Sequence, residues 1–208
     1  MNDMTDIRQR AARRRHAAEA ILAELELVEQ WRQFGRPVLV GALAYDLMVS
    51  PDIDLEIYCP ELKIEHGFHI LSQCARGPRV AKARFSNELS QPDKALYWQL
   101  RYRDDAGATW KIDMWAMPED YDLPRSEDLV TPMLAALSEE TRTVILELKE
   151  QRAEDSSLAC PSIDLYRAVL DDDVRCVEDF RVWLKSHETG SLTSWQPRPS
   201  FTNGKERP

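Results

Sequence analysis

No apolar run in this 208-residue chain approaches the ~18–20 residues that a membrane-spanning helix needs, so the chain reads as soluble. A CxxC spacing is also missing. Cys59, Cys74, Cys160 and Cys176 are scattered, and without a secretory signal they read as reduced, ordinary buried thiols of a cytoplasmic protein. Positive charge is in deficit: the formal net charge of −9 removes long-range attraction to DNA or RNA. That balance argues against nucleic acid and for a small molecule or protein as partner, although a local basic patch can act against the average. No internal repeat, low-complexity domain or local Ser/His or Cys/His motif is present. Length and 43% hydrophobic content suit one domain with a sizeable core and a small helical appendage, not two large domains.

What the chain does have is an acidic strand. In Asp52-Ile53-Asp54-Leu55-Glu56-Ile57, the strand period of two puts Asp52, Asp54 and Glu56 on one face and Ile53, Leu55 and Ile57 on the other. The apolar face belongs in a core. Three carboxylates on the opposite face repel one another unless a cation or a basic partner neutralises them. Magnesium suits the task, because it takes hard oxygen ligands and is held by one or two carboxylates plus substrate phosphates. Downstream, Lys111-Ile112-Asp113-Met114-Trp115 repeats the alternation with one acid, and strand pairing would bring Asp113 beside Asp54. Glu56 reads as a flanking acid, not a ligand.

Val38-Leu39-Val40-Gly41-Ala42 precedes the acidic strand, and residues 43 to 51 supply a nine-residue spacer. Glycine, spacer, paired acids and a later third acid together resemble the signature of the DNA polymerase β-like nucleotidyltransferase superfamily over about residues 36 to 117. The resemblance implies a metal-dependent nucleotidyltransferase. Asp52 and Asp54 match its paired magnesium ligands. Asp113 matches the third carboxylate, which binds metal or activates the acceptor in family members, and Gly41 matches the phosphate-loop glycine, with Lys111 as a charge partner. The implied reaction is two-metal-assisted transfer from a nucleoside triphosphate, with metals ~3.5–4 Å apart at the attacking and leaving oxygens. Gly41 would let the backbone approach the phosphates without a Cβ in the way. Ala42 departs from the usual serine, which helps hold the phosphates. That departure raises the alternative of a degenerate, binding or regulatory member of the fold.

The expected fold is α+β, a mixed β-sheet flanked by helices and followed by a C-terminal helical segment. Residues 1–35 are expected to hold an N-terminal helix, 36–120 the nucleotidyltransferase-like core, 121–187 the C-terminal helices and 188–208 a disordered tail. Apolar residues at spacings of three and four predict one helix from Thr5 to Phe34. Its arginines at 8, 10, 13, 14 and 15 read as a solvated face. Strands are expected at Val38–Gly41, Asp52–Cys59, Val80–Leu89, Leu96–Asp104 and Thr109–Met117, the last two joined by a hairpin turn at Asp104-Asp105-Ala106-Gly107. Helices are expected at Leu43–Val49 and 63–76. Ser126 and Ser138 are candidate N-caps for two later helices, and 162–186 adds one or two more.

Other groupings are weaker. His66 and His69 sit at i and i+3 without a third ligand of matching pattern, and read as a surface pair. Pro51-Asp52 with Glu61-Leu62-Lys63 superficially matches a PD-(D/E)xK nuclease, a third and magnesium-dependent option, but Pro60 places the triplet off a strand. Tyr166 and Arg167 read as exposed helix decoration.

Overall fold

Alternating apolar and polar residues build the five-stranded sheet at the centre of the first half of the chain. The computed structural model describes residues 2–190 and 194–198; residues 191–193 and 199–208, which hold most of the expected tail, lie outside the described residues. The chain divides into two compact units, residues 1–127 and 128–208. Among the described residues, no helix is long and apolar enough to cross a membrane.

In the first unit the strands are β1 (Arg36–Val40), β2 (Asp52–Cys59), β3 (Val80–Asn87), β4 (Leu96–Arg103) and β5 (Thr109–Pro118), in the order β1-β2-β5-β4-β3. β2 and β5 run parallel and every other pairing is antiparallel, which makes the sheet mixed. Parallel strands need a long crossover. Here the chain leaves β2, forms helix α4 (Ile64–Cys74) and the β3–β4 pair, and returns through the expected turn, where the Gly107 N–H donates to the Asp104 carbonyl at 3.1 Å.

One face of the sheet is the core. Ile53, Leu55 and Ile57 of β2, Ile112 and Met114 of β5, and Trp98 and Leu100 of β4 are fully buried in one cluster with Ile21 and Leu22, which precede the sheet, and with Ile70 and Leu71 of α4. α4 approaches β4 so closely that a Cβ on Gly67 would lie 2.1 Å from the Trp98 indole, so only glycine fits there. The opposite face carries the acids.

The single helix expected from Thr5 to Phe34 is two helices, α1 (Asn2–Glu24) and α2 (Leu27–Trp31), with Glu26 left-handed at φ 47° between them. Packing explains the break. Leu25, Leu27 and Trp31 are all buried, whereas in one continuous helix Leu25 and Leu27 would point ~200° apart. Burying both leucines is worth about 2 kcal/mol each, more than the ~1–2 kcal/mol of one left-handed residue. On α1, Arg10 pairs with Asp6 at 2.5 Å and Arg15 with Glu19 at 2.9 Å, which disposes of part of the basic cluster locally. The helix α3 (Gly41–Tyr45) is shorter than expected and ends at a left-handed Asp46.

The second unit is helical: α5 (Glu127–Ala136, whose first residue belongs to the first unit), α6 (Glu139–Glu154), a 3₁₀ turn at Ser156–Leu158, α7 (Ser162–Asp171) and α8 (Val177–Ser186). Ser138 caps α6 through a reciprocal box with Thr141. Tyr166 is not decoration. Its ring is 3% exposed and its hydroxyl accepts a bond of 3.3 Å from the buried Lys149 ammonium. Arg167 lies over the Trp183 ring at 5.9 Å.

Candidate metal centre

The parallel pairing of β2 with β5 sets Asp52 opposite Lys111 and Asp54 opposite Asp113, all on the face away from the core. One carboxylate oxygen from each of Asp52, Asp54 and Asp113 lies within 4.8 Å of the others, and this is the only such group of potential metal ligands among the described residues. Such crowding needs positive charge. Lys111 supplies some: its ammonium lies 2.8 Å from Asp113 Oδ2 and 3.2 Å from Asp52 Oδ2.

Burial disfavours the Lys111 charge, but the bonds and charges of Asp113 and Asp52 outweigh it and hold the ammonium protonated well above the ordinary lysine range. For Asp52, burial is the largest influence and raises its pKa, with Lys111 opposing and Asp113 adding to the rise. The other Asp52 oxygen, Oδ1, is buried and accepts no hydrogen bond from the described residues. A hard divalent cation fits these features. It would take oxygen ligands from all three acids and satisfy the orphaned Oδ1.

Two residues that sequence reasoning passed over hold the third acid. The Tyr97 hydroxyl donates to Asp113 Oδ1 at 2.8 Å, and Gln99 Nε2 donates to the same oxygen at 3.0 Å. Asp113 Oδ2 is thereby turned toward cationic partners, of which the Lys111 ammonium at 2.8 Å is one. Burial, and then the bond to Asp113, push the Tyr97 phenol up to about 12. The signal was partial: a bare four-residue turn at Asp104–Gly107 would set Gln99 opposite Ile112, and the extra loop residue, Ala108, shifts the register so that Arg103 faces Thr109 and Gln99 faces Asp113.

Gly41 opens α3 with φ +66°, and a Cβ there would stand 2.5 Å from Asp54 Oδ2. Glycine is therefore required twice, by conformation and by space. Ala42 is half-buried and packs against the core, and its methyl has no hydroxyl to offer a phosphate.

Glu56, the third acid of β2, does a different job. It is 7% exposed, and its carboxylate accepts from the Ser126 N–H at 2.9 Å, the Glu127 N–H at 3.0 Å and the Tyr58 hydroxyl at 2.7 Å. Those N–H groups begin α5, so a side chain from β2 caps a helix that Ser126 was expected to cap itself. Arg36 completes the cluster with paired bonds of 2.5 and 2.8 Å to Glu127 and a stack over Tyr58 at 4.7 Å.

The weaker groupings stay apart. His66 stacks on Phe34 with ring centres 4.3 Å apart, and it joins no metal-ligand group among the described residues. Lys63 pairs with Glu61 at 2.7 Å beyond the far end of β2 from Asp52, ~25 Å of strand away at ~3.3 Å per residue, which removes the geometry of a nuclease triplet.

Comparison with protein-family models and with curated proteins finds no match in sequence. Solved structures do match in fold. The Cid1 poly(U) polymerase with magnesium and 3′-dATP aligns with TM-score 0.56 at 15% identity, covering 75% of this chain and 48% of that one. Cid1 with the UTP analogue UMPNPP gives 0.53 at 13% identity over 78% and 48%. A cytoplasmic RNA terminal U-transferase gives 0.54 at 13% identity over 75% and 45%. The chain thus spans about half the length of the solved chains it resembles.

Proposed function

Because the fold is that of the DNA polymerase β-like nucleotidyltransferase superfamily, we propose that this chain is a metal-dependent nucleotidyltransferase that uses a nucleoside triphosphate. The observation that carries the reading is the meeting of Asp52, Asp54 and Asp113 within 4.8 Å across two parallel strands. Magnesium held there by the three acids would supply Lewis-acid stabilisation of phosphoryl oxygens. Asp52 and Asp54 are the ligands, and Asp113 is the third carboxylate, oriented by Tyr97 and Gln99. Gly41 brings the backbone beside Asp54 without a side chain. Lys111 is the resident counter-charge, within 3.2 Å of both Asp52 and Asp113, that offsets the repulsion between them.

The reaction balances simply. An acceptor hydroxyl oxygen forms a bond to the α-phosphorus, the bond from that phosphorus to the β-bridging oxygen breaks, and pyrophosphate leaves with the electron pair. The hydroxyl proton passes to a carboxylate or to solvent. The similar structures are named for poly(U) polymerase and RNA terminal U-transferase activity, which lends no support to the small-molecule or protein acceptor expected from net charge.

The test is a transfer assay with α-labelled triphosphates over a panel of acceptors, scored for pyrophosphate. Label should move in the wild type and turnover should vanish in Asp54→Asn at unchanged melting temperature. A folded, active Asp54→Asn protein overturns the reading.

A degenerate, nucleotide-binding or regulatory role is the second reading. It is favoured by the Ala42 methyl and by the Lys111 ammonium already seated between Asp52 and Asp113. Calorimetry with magnesium and each triphosphate, paired with the transfer assay, separates the two. Binding without turnover supports the regulatory role.

A further inference from the structure

The polar face of the sheet carries a row of cations leading away from the acidic triad. Register places Lys82 of β3 opposite Arg101 of β4, Arg101 opposite Lys111 of β5, and Lys111 opposite Asp52 of β2. In the adjoining row Arg84 faces Gln99, which faces Asp113, which faces Asp54. Lys82, Arg84 and Arg101 thus form a basic patch beside the proposed metal ligands. Among the described residues none of the three is in an ion pair, although Arg101 feels the Asp52 charge.

Three features argue that the patch is built for a ligand. Lys82 and Arg101 are directly opposed like charges, an arrangement that destabilises a sheet unless an anion lies over it. A register shift between Val80 and Lys82 turns Lys82 onto this face, since Val80 pairs with the core residue Tyr102 and plain alternation would send Lys82 the same way. Lysines on an edge strand often serve only to block pairing, but that role does not explain Arg101 on the interior strand β4. In a chain of net charge −9 the patch is a local reversal of sign.

Length and neighbours indicate the kind of anion. Three inter-strand steps of ~4.8 Å carry the row ~14 Å from Asp52, longer than a small acceptor. In the next row Tyr97 and Trp115 lie half-buried with ring centres 4.5 Å apart, aromatic surface of the sort on which bases stack. Cations that follow a backbone beside aromatic rings are the pattern of single-stranded nucleic-acid binding.

We propose that Lys82, Arg84 and Arg101 bind the phosphates of a single-stranded nucleic acid whose terminal hydroxyl is the acceptor at Asp52, Asp54 and Asp113. The acceptor role rests on the nucleotidyl-transfer reading above; binding to the patch does not. In the transfer step the terminal hydroxyl oxygen bonds to the α-phosphorus, pyrophosphate departs with its electron pair, and the strand is one nucleotide longer.

The test is fluorescence anisotropy of the full chain with a labelled, mixed-sequence oligoribonucleotide of about 15 nucleotides and its deoxy counterpart, without triphosphate, over a range of salt. Three phosphate contacts predict a log–log salt slope of about −2, and the exposed Lys82→Gln/Arg84→Gln variant should reduce it to about −0.7. Circular dichroism checks that the variant is folded. Equal affinity for the two probes supports contacts to phosphate alone, and preference for the ribo probe adds contacts to 2′-hydroxyls. An unchanged slope in the folded variant, or no salt-dependent binding, overturns the proposal. Binding without transfer supports the patch and counts against the nucleotidyl-transfer reading. Transfer to a protein or small molecule without oligonucleotide binding supports that reading and overturns the patch.

Discussion

Gly41 and Asp54 touch across the first turn of α3 so closely that a Cβ on the glycine would stand 2.5 Å from the carboxylate oxygen. Gly41→Ala should therefore displace a proposed metal ligand as well as strain a backbone at φ +66°. The strain is expected to cost about 1–2 kcal/mol in denaturant melts, and magnesium should no longer raise the melting temperature. An alanine variant that magnesium stabilises as it does the wild type would contradict the assignment.

Lys111 offers a sharper experiment, because its charge and that of a bound metal answer the same need. Lys111→Met leaves Asp52 and Asp113 without their ammonium and should lower stability without metal by about 2 kcal/mol. Magnesium should then recover more stability in the variant than it adds to the wild type. Thermal melts in chelator and in excess magnesium read both numbers, and equal metal shifts in the two proteins would count against a shared site.

How much of this was legible beforehand varied by residue. β2 was readable because Asp52–Ile57 alternates polar and apolar residues, whereas the pairing of Gln99 with Asp113 depends on one loop residue beyond the 104–107 turn. The place of Asp113 followed from the same alternation plus a strand pairing. The capping role of Glu56 was not legible, since the N–H groups it receives come from Ser126 and Glu127, seventy residues on, and local pattern carries no trace of that meeting. The break at Glu26 was hidden for a related reason: spacing alone cannot say that Leu25 and Leu27 must both reach one core. Lys82 was hidden by the β3 irregularity, which shifts it to the other face.

Glu56→Gln tests the cap. An amide keeps the size but places a donor toward N–H groups that need acceptors, so a loss of about 2 kcal/mol is expected in urea melts. A change within about 0.5 kcal/mol would mean that the start of α5 finds another acceptor.

The pair beside it gives a pH dependence. The Arg36 hydrogen bond and charge hold the Glu127 carboxyl below its ordinary value, against a smaller effect of burial. A depressed folded-state pKa stabilises the native protein above the usual glutamate pKa of 4.5, and that contribution is lost as pH falls through the lower folded value. Arg36→Gln should flatten this part of the acid limb by at most about 1 kcal/mol, since the pair is partly exposed. Stability curves of the two proteins that stay parallel below pH 4.5 would rule the linkage out.

Parallel pairing of β2 with β5 has a consequence for biogenesis. Ribosome-bound intermediates lacking β5 contain Asp52 and Asp54 but not Asp113, and the strand that brings it is the last of the sheet to be synthesised. Capture of a cation by all three proposed ligands would thus await completion of the sheet, and a truncated translation product carries only two of the three acids.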